Sequence, residues 1–142
     1  RQRQMCIRDR EGTVPEAVPD LSDWACYTGT MEDGAVVYLA FDSTATKGVF
    51  MALYDQAGQS VLICGDYSYN EATGVETIQG GADGPAIQFV NTPVADGVFA
   101  LQLGQQGQVQ VTEVDAAQAM ECAQRIQAGT QDVTADFLTK LA

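Results

Sequence analysis

Short runs of aromatic and β-branched residues, broken by turn chemistry roughly every 8–13 residues, constrain this chain more than any other feature. The runs are Trp24–Met31, Ala35–Asp42, Gly48–Tyr54, Ser60–Tyr69, Val75–Gln79, Ala86–Asn91, Val98–Leu103 and Gln108–Val114. Between the first two stands Glu32-Asp33-Gly34, and Asp-Gly suits the tight turns of β-hairpins. The other gaps hold Gly, Asn, Asp, Ser and Thr, residues that tolerate or stabilise turn backbone. No gap is long enough for the crossover helix that a parallel pair needs, so consecutive antiparallel hairpins are expected. Ala35–Asp42 and Gly48–Tyr54 carry apolar residues at both parities. Such strands meet a core on one side and a second layer on the other.

The C-terminal stretch supplies that second layer. Asp115-Ala116-Ala117-Gln118 has capping-box spacing, with Asp115 expected to accept from the backbone and Gln118 to reach back. The helix should run to about Ala128 and stop at Gly129. Ala116, Ala119, Met120, Ala123 and Ile126 then share one face. Asp132 or Thr134 can open a second short helix with an apolar edge of Phe137, Leu138 and Leu141. Both helices should pack across the sheet or close an open end of a barrel. The expected fold is all-β: an eight-stranded antiparallel up-and-down barrel with a C-terminal helix, occupying residues 24–142 as one domain with 115–142 helical. A two-sheet β-sandwich is the alternative at this strand count.

Upstream, residues 11–23 read as a linker, interrupted by Gly12, Pro15 and Pro19. Residues 1–10 read as a foreign tail. Gln4-Met5-Cys6-Ile7-Arg8-Asp9-Arg10 resembles the translation of a transposase mosaic-end sequencing adapter. That resemblance implies a reading frame cut upstream, with a targeting signal, lipid anchor or preceding domain lost.

Charge narrows the partners. The chain has 7 Lys+Arg against 19 Asp+Glu, net −12. Four of the arginines lie in residues 1–10, leaving Lys47, Arg125 and Lys140 in the remainder. Such a surface repels the phosphates of nucleic acid, which require several Lys or Arg contacts, and anionic lipid headgroups. No segment approaches the ~20 apolar residues of a membrane-spanning helix, so no direct membrane insertion is expected.

Eight successive antiparallel strands followed by a helix, with Trp24 and Gly29 in the first strand, resemble the calycin architecture of lipocalin-like proteins. The resemblance covers residues 24–128 and implies a closed barrel. Gly65-Asp66-Tyr67-Ser68-Tyr69 also resembles small extracytoplasmic domains of Gram-positive bacteria. That implies a protein secreted, or lipid-anchored through the missing N-terminus.

Catalytic chemistry is sparse. The sequence contains no histidine, which removes Ser-His-Asp and Cys-His catalysis and His-based metal sites. Cys26, Cys64 and Cys122 sit among apolar residues without metal-type spacing and read as small buried hydrophobes. Cys64, in Leu62-Ile63-Cys64-Gly65, is expected to be an inert thiol. In an oxidising compartment a Cys26–Cys122 bridge is the alternative. The glycine-rich loop Gly80–Pro85 leads into a strand rather than a helix and reads as a turn. Asp66 and Glu76, on neighbouring strands, are the candidate pair for a carboxylate-dependent hydrolase. Asp42, Ser43 and Thr44, or Asn70 and Glu71, offer oxygen ligands for calcium but lack a dedicated loop pattern, and turns explain them better. No cofactor or metal is expected.

Ile63, Gly65, Tyr67 and Tyr69 share one face of the fourth strand. If that face points inward, the glycine opens space beside two phenols, and the four become candidate ligand-binding residues. The resulting expectation is a non-enzymatic extracytoplasmic module that binds a small apolar ligand or a protein partner. A purely structural accessory domain is the alternative, and the hydrolase a third.

Overall fold

The computed structural model describes residues 21–81 and 84–141. Eight antiparallel strands follow one another: β1 (Ala25–Thr30), β2 (Val36–Phe41), β3 (Lys47–Tyr54), β4 (Gln59–Asn70), β5 (Val75–Gln79), β6 (Ala86–Ala95), β7 (Val98–Leu103) and β8 (Gly107–Val114). Each pairs with its chain neighbour, and β1 also pairs with β8, placing Cys26 opposite Val114 and Thr28 opposite Thr112. That last ladder closes the sheet into an up-and-down barrel. A sandwich would leave two sheets with free edges, so closure decides between the two expected architectures.

Strand alternation sorts the side chains. Inward positions build an interior of Val37, Leu39, Phe50, Ala52, Val61, Ile63, Ile78, Ile87, Leu101 and Leu103, all nearly inaccessible to solvent. Side chains alone can fill a barrel of eight strands. The outward positions of β1–β4 are apolar as well, and helix α1 (Ala116–Gln127) covers them. Ala119, Cys122, Ala123 and Ile126 of α1 pack on Cys26, Ala40, Val49, Met51 and Leu53. This accounts for the two-sided apolarity of β2 and β3. Leu21, which the sequence pattern assigns to the linker, is fully buried in the same layer. The rest of the 11–23 segment, up to residue 20, lies outside the described residues, as do residues 1–10.

The local signals of α1 held in position but not in mechanism. Asp115 is the N-cap in extended conformation, yet its side chain makes no capping bond. The Gln118 N–H instead donates to the Asp115 main-chain oxygen at 3.1 Å, so the expected capping box does not form. After Gly129 the chain makes a two-residue strand, β9 (Gln131–Asp132), parallel to the start of β4. The Asp132 Oδ1 accepts from the Thr134 N–H at 2.8 Å and its hydroxyl at 2.6 Å, which starts helix α2 (Thr134–Leu141). Thr134 Oγ1 in turn accepts from the Leu62 N–H at 3.2 Å and ties α2 to β4. Phe137 and Leu141 then enter the barrel cluster, with the Phe137 ring 5.6 Å from Phe50. Helix α1 thus covers a wall and α2 plugs an end.

β6 is longer than the apolar run suggests because the ladder with β7 continues past Pro93 through a bulge between Pro93 and Ala95. A bulge is one of the few places a sheet tolerates proline.

Candidate binding site at the open end of the barrel

The end opposite α2 is formed by the β2–β3, β4–β5 and β6–β7 connections. As the inward faces of the strands approach it, they change from aliphatic to aromatic. Tyr27 of β1, Phe41 of β2, Tyr67 of β4 and Phe99 of β7 are half-buried and pack against the interior. Their rings meet edge to face, with centroids 4.8 Å apart for Phe41–Tyr67, 5.4 Å for Tyr27–Phe99 and 6.5 Å for Tyr27–Phe41. Phe89 lies under Phe41 at 6.4 Å. Edge-to-face geometry sets the positive ring edge against the negative face of its neighbour. The result is a collar around the mouth.

One ionisable side chain is drawn into this collar. Glu76 stands two residues before Ile78 on β5 and so shares its inward parity, opposite Tyr69 on β4 and Phe89 on β6. Only 9% of it is exposed. The Tyr67 hydroxyl donates to Glu76 Oε1 at 2.7 Å. Burial pushes the Glu76 carboxyl above the usual carboxylate range, partly offset by that hydrogen bond. The Tyr67 phenol is raised too, by burial and then by the carboxylate it faces. On the Tyr27 side the second carboxylate, exposed Glu113, adds to burial in raising that phenol. Asn91, inward on β6, has a buried Oδ1 without a hydrogen-bond partner among the described residues.

The four residues expected to bind ligand divide. Tyr67 is part of the collar, and Tyr69 projects at the rim with 54% of its surface exposed. Ile63 belongs to the closed waist at 1% exposure. Gly65 leaves no empty volume, because a Cβ there would overlap the main-chain carbonyl of Gln79. A strand glycine marks either a gap or a close backbone approach; here β4 crosses close to β5. Two grooves lie at the plugged end, one of about 400 Å³ beside Met31, Gln106 and Lys140, the other of about 250 Å³ beside Gln88 and Leu138. None of the four residues lines either groove.

Other expected pairings come apart. Asp66 stands opposite Gln79 and points outward to Lys47, whereas Glu76 points inward, so these carboxylates do not face each other. Asp42 accepts from the Thr46 and Lys47 N–H groups and from Thr44 and Thr46 hydroxyls, which makes it a turn organiser. Asn70 accepts from the Ala72 N–H in the same way. Among the described residues no group of three His, Cys, Asp or Glu could hold a metal ion. Cys26 and Cys122 are buried free thiols rather than a bridge. Burial pushes the Cys122 thiol up to about 12 against the opposing Arg125 charge. Cys64 is disulfide-bonded, so it is not the inert thiol expected.

The sequence points to Tyr67 and Tyr69, and the barrel brings Phe41 beside Tyr67, with Tyr27 and Phe99 next in the ring series. The sequence also presents Glu76 as an acid–base group rather than a buried carboxylate. The signal was present: Glu76 and Ile78 have the same parity in Val75-Glu76-Thr77-Ile78-Gln79. No helix among the described residues is long and apolar enough to cross a membrane. The closed eight-stranded barrel is compatible with a calycin-like fold. No protein-family model, curated protein or solved structure matches the chain.

Proposed function

We propose that this chain is a non-enzymatic binding module that takes a small, largely apolar ligand at the open end of its barrel. Tyr67 and Tyr69 make contact, and the wall at Ile63 and Gly65 holds them in place. The supporting observation is the half-exposed aromatic collar set over the Glu76–Tyr67 pair. Because the waist is filled by apolar side chains, the ligand rests on the collar instead of entering a deep cavity. Lipocalin-like proteins supply the analogy for geometry, and the likeness of residues 65–69 to extracytoplasmic domains carries the location. A second reading, docking of a protein partner, is favoured by Tyr69 and Val94, which expose 54% and 55% of their surface at two hairpins of the same rim.

Fluorescence of the neutral probe N-phenyl-1-naphthylamine tests the reading. Enhancement by the full chain should fall at least tenfold in affinity in a Tyr67→Ala/Tyr69→Ala double variant. Equal binding by the double variant, or none by either protein, contradicts it.

A further inference from the structure

We propose, building on that reading, that the ligand at the open end is a small organic cation, an ammonium group carried on an apolar body. A buried carboxylate is costly unless a positive charge or several hydrogen bonds compensate it. Among the described residues the cationic side chains are committed elsewhere: Lys47 to Asp66, Arg125 to Asp55 and Lys140 to Asp33. Glu76 receives a neutral phenol from Tyr67, 2.7 Å away. A neutral ligand covering the collar would strip more water from this carboxylate and return nothing for it. An ammonium would return a charge.

The surroundings favour the same chemistry. Tyr27, Phe41, Tyr67 and Phe99 present aromatic rings around the mouth, and the negative faces of such rings attract ammonium groups. Glu113 adds a second carboxylate on the side of Tyr27. The net charge of −12 draws cations toward the whole molecule and repels anionic competitors. No covalent step is involved.

Choline and its uncharged isostere 3,3-dimethylbutan-1-ol, titrated into the ¹⁵N-labelled full chain, separate the charge from the shape. Choline should bind at least tenfold more tightly and shift amides around Tyr67, Glu76 and Phe41. Glu76→Gln should remove that tenfold preference, and Phe41→Leu, which keeps apolar bulk while deleting one ring, should reduce it in a chain that retains its carboxylate. Equal binding of the two probes overturns the cationic assignment and leaves the ligand site standing. Binding of neither, together with no binding of the neutral naphthylamine, overturns both.

Discussion

The two ends of the barrel are finished by opposite means. At one, helix α2 inserts Phe137 and Leu141 as a separate plug, and the charges that accompany it stay outside. Asp33 accepts from the Tyr54 hydroxyl at 2.8 Å and from Lys140 at 3.2 Å, and the Lys140 ammonium lies 5.4 Å from the Tyr54 ring centre. At the other, the strands line the mouth with their own aromatic side chains, and a carboxylate is enclosed among them. Exposed ion pairs contribute little because water screens them, whereas an enclosed carboxylate costs stability. The plugged end thus keeps its charges in solvent, whereas the open end encloses a carboxylate whose burial the Tyr67 hydroxyl offsets only in part.

Their responses to acid should differ in sign. Burial alone would raise the Asp33 carboxyl, but bonds from the Ala35 N–H, Tyr54 and Lys140 outweigh it and hold it below the usual range. Its contribution is present above the unfolded value and is lost as pH falls through the lowered one. Glu76 is raised. In the window between the ordinary glutamate value and its raised value the folded state binds the extra proton, so stability falls as pH rises.

The contrast can be attacked by mutation, beginning at the plug. Phe137→Ala should cost about 3–5 kcal/mol in urea unfolding, since it leaves a hole against Phe50 in a fully buried site. A loss below about 1 kcal/mol would mean that α2 does not plug the barrel. Next in size, Gly65→Val should cost about 1–3 kcal/mol by forcing β4 from the Gln79 carbonyl. A neutral result there would restore the idea of free space on this face. Glu76→Gln should then flatten the stability profile above the ordinary glutamate range while leaving the acid limb that belongs to Asp33. An unchanged profile would show that the carboxylate is not enclosed. Smallest of all, Lys140→Met should change stability by no more than about 1 kcal/mol, as its partners are exposed.

Much of this architecture was legible in the chain. Turn residues spaced the eight strands, and two-sided apolarity in β2 and β3 announced a covering layer that α1 provides. Gly129 marked the end of α1 because it adopts a positive φ of 134° that other residues avoid. What escaped depended on register and on distant partners. Gln131 and Asp132 carry no strand signal; they pair with β4 because the chain must return there to seat α2. Leu21 looks like linker until α1 lies over it. Gly65 and Glu76 were visible as residues, but only the offset between β4 and β5 decides that one is a close approach and the other an enclosed acid.

Carboxyl ¹³C shifts of Asp33 and Glu76, followed through a pH titration of the full chain, test the difference between the ends most directly. The account requires Glu76 to titrate above an ordinary glutamate and Asp33 below an ordinary aspartate. Two ordinary values, or a Glu76 that titrates below the usual range, would contradict it.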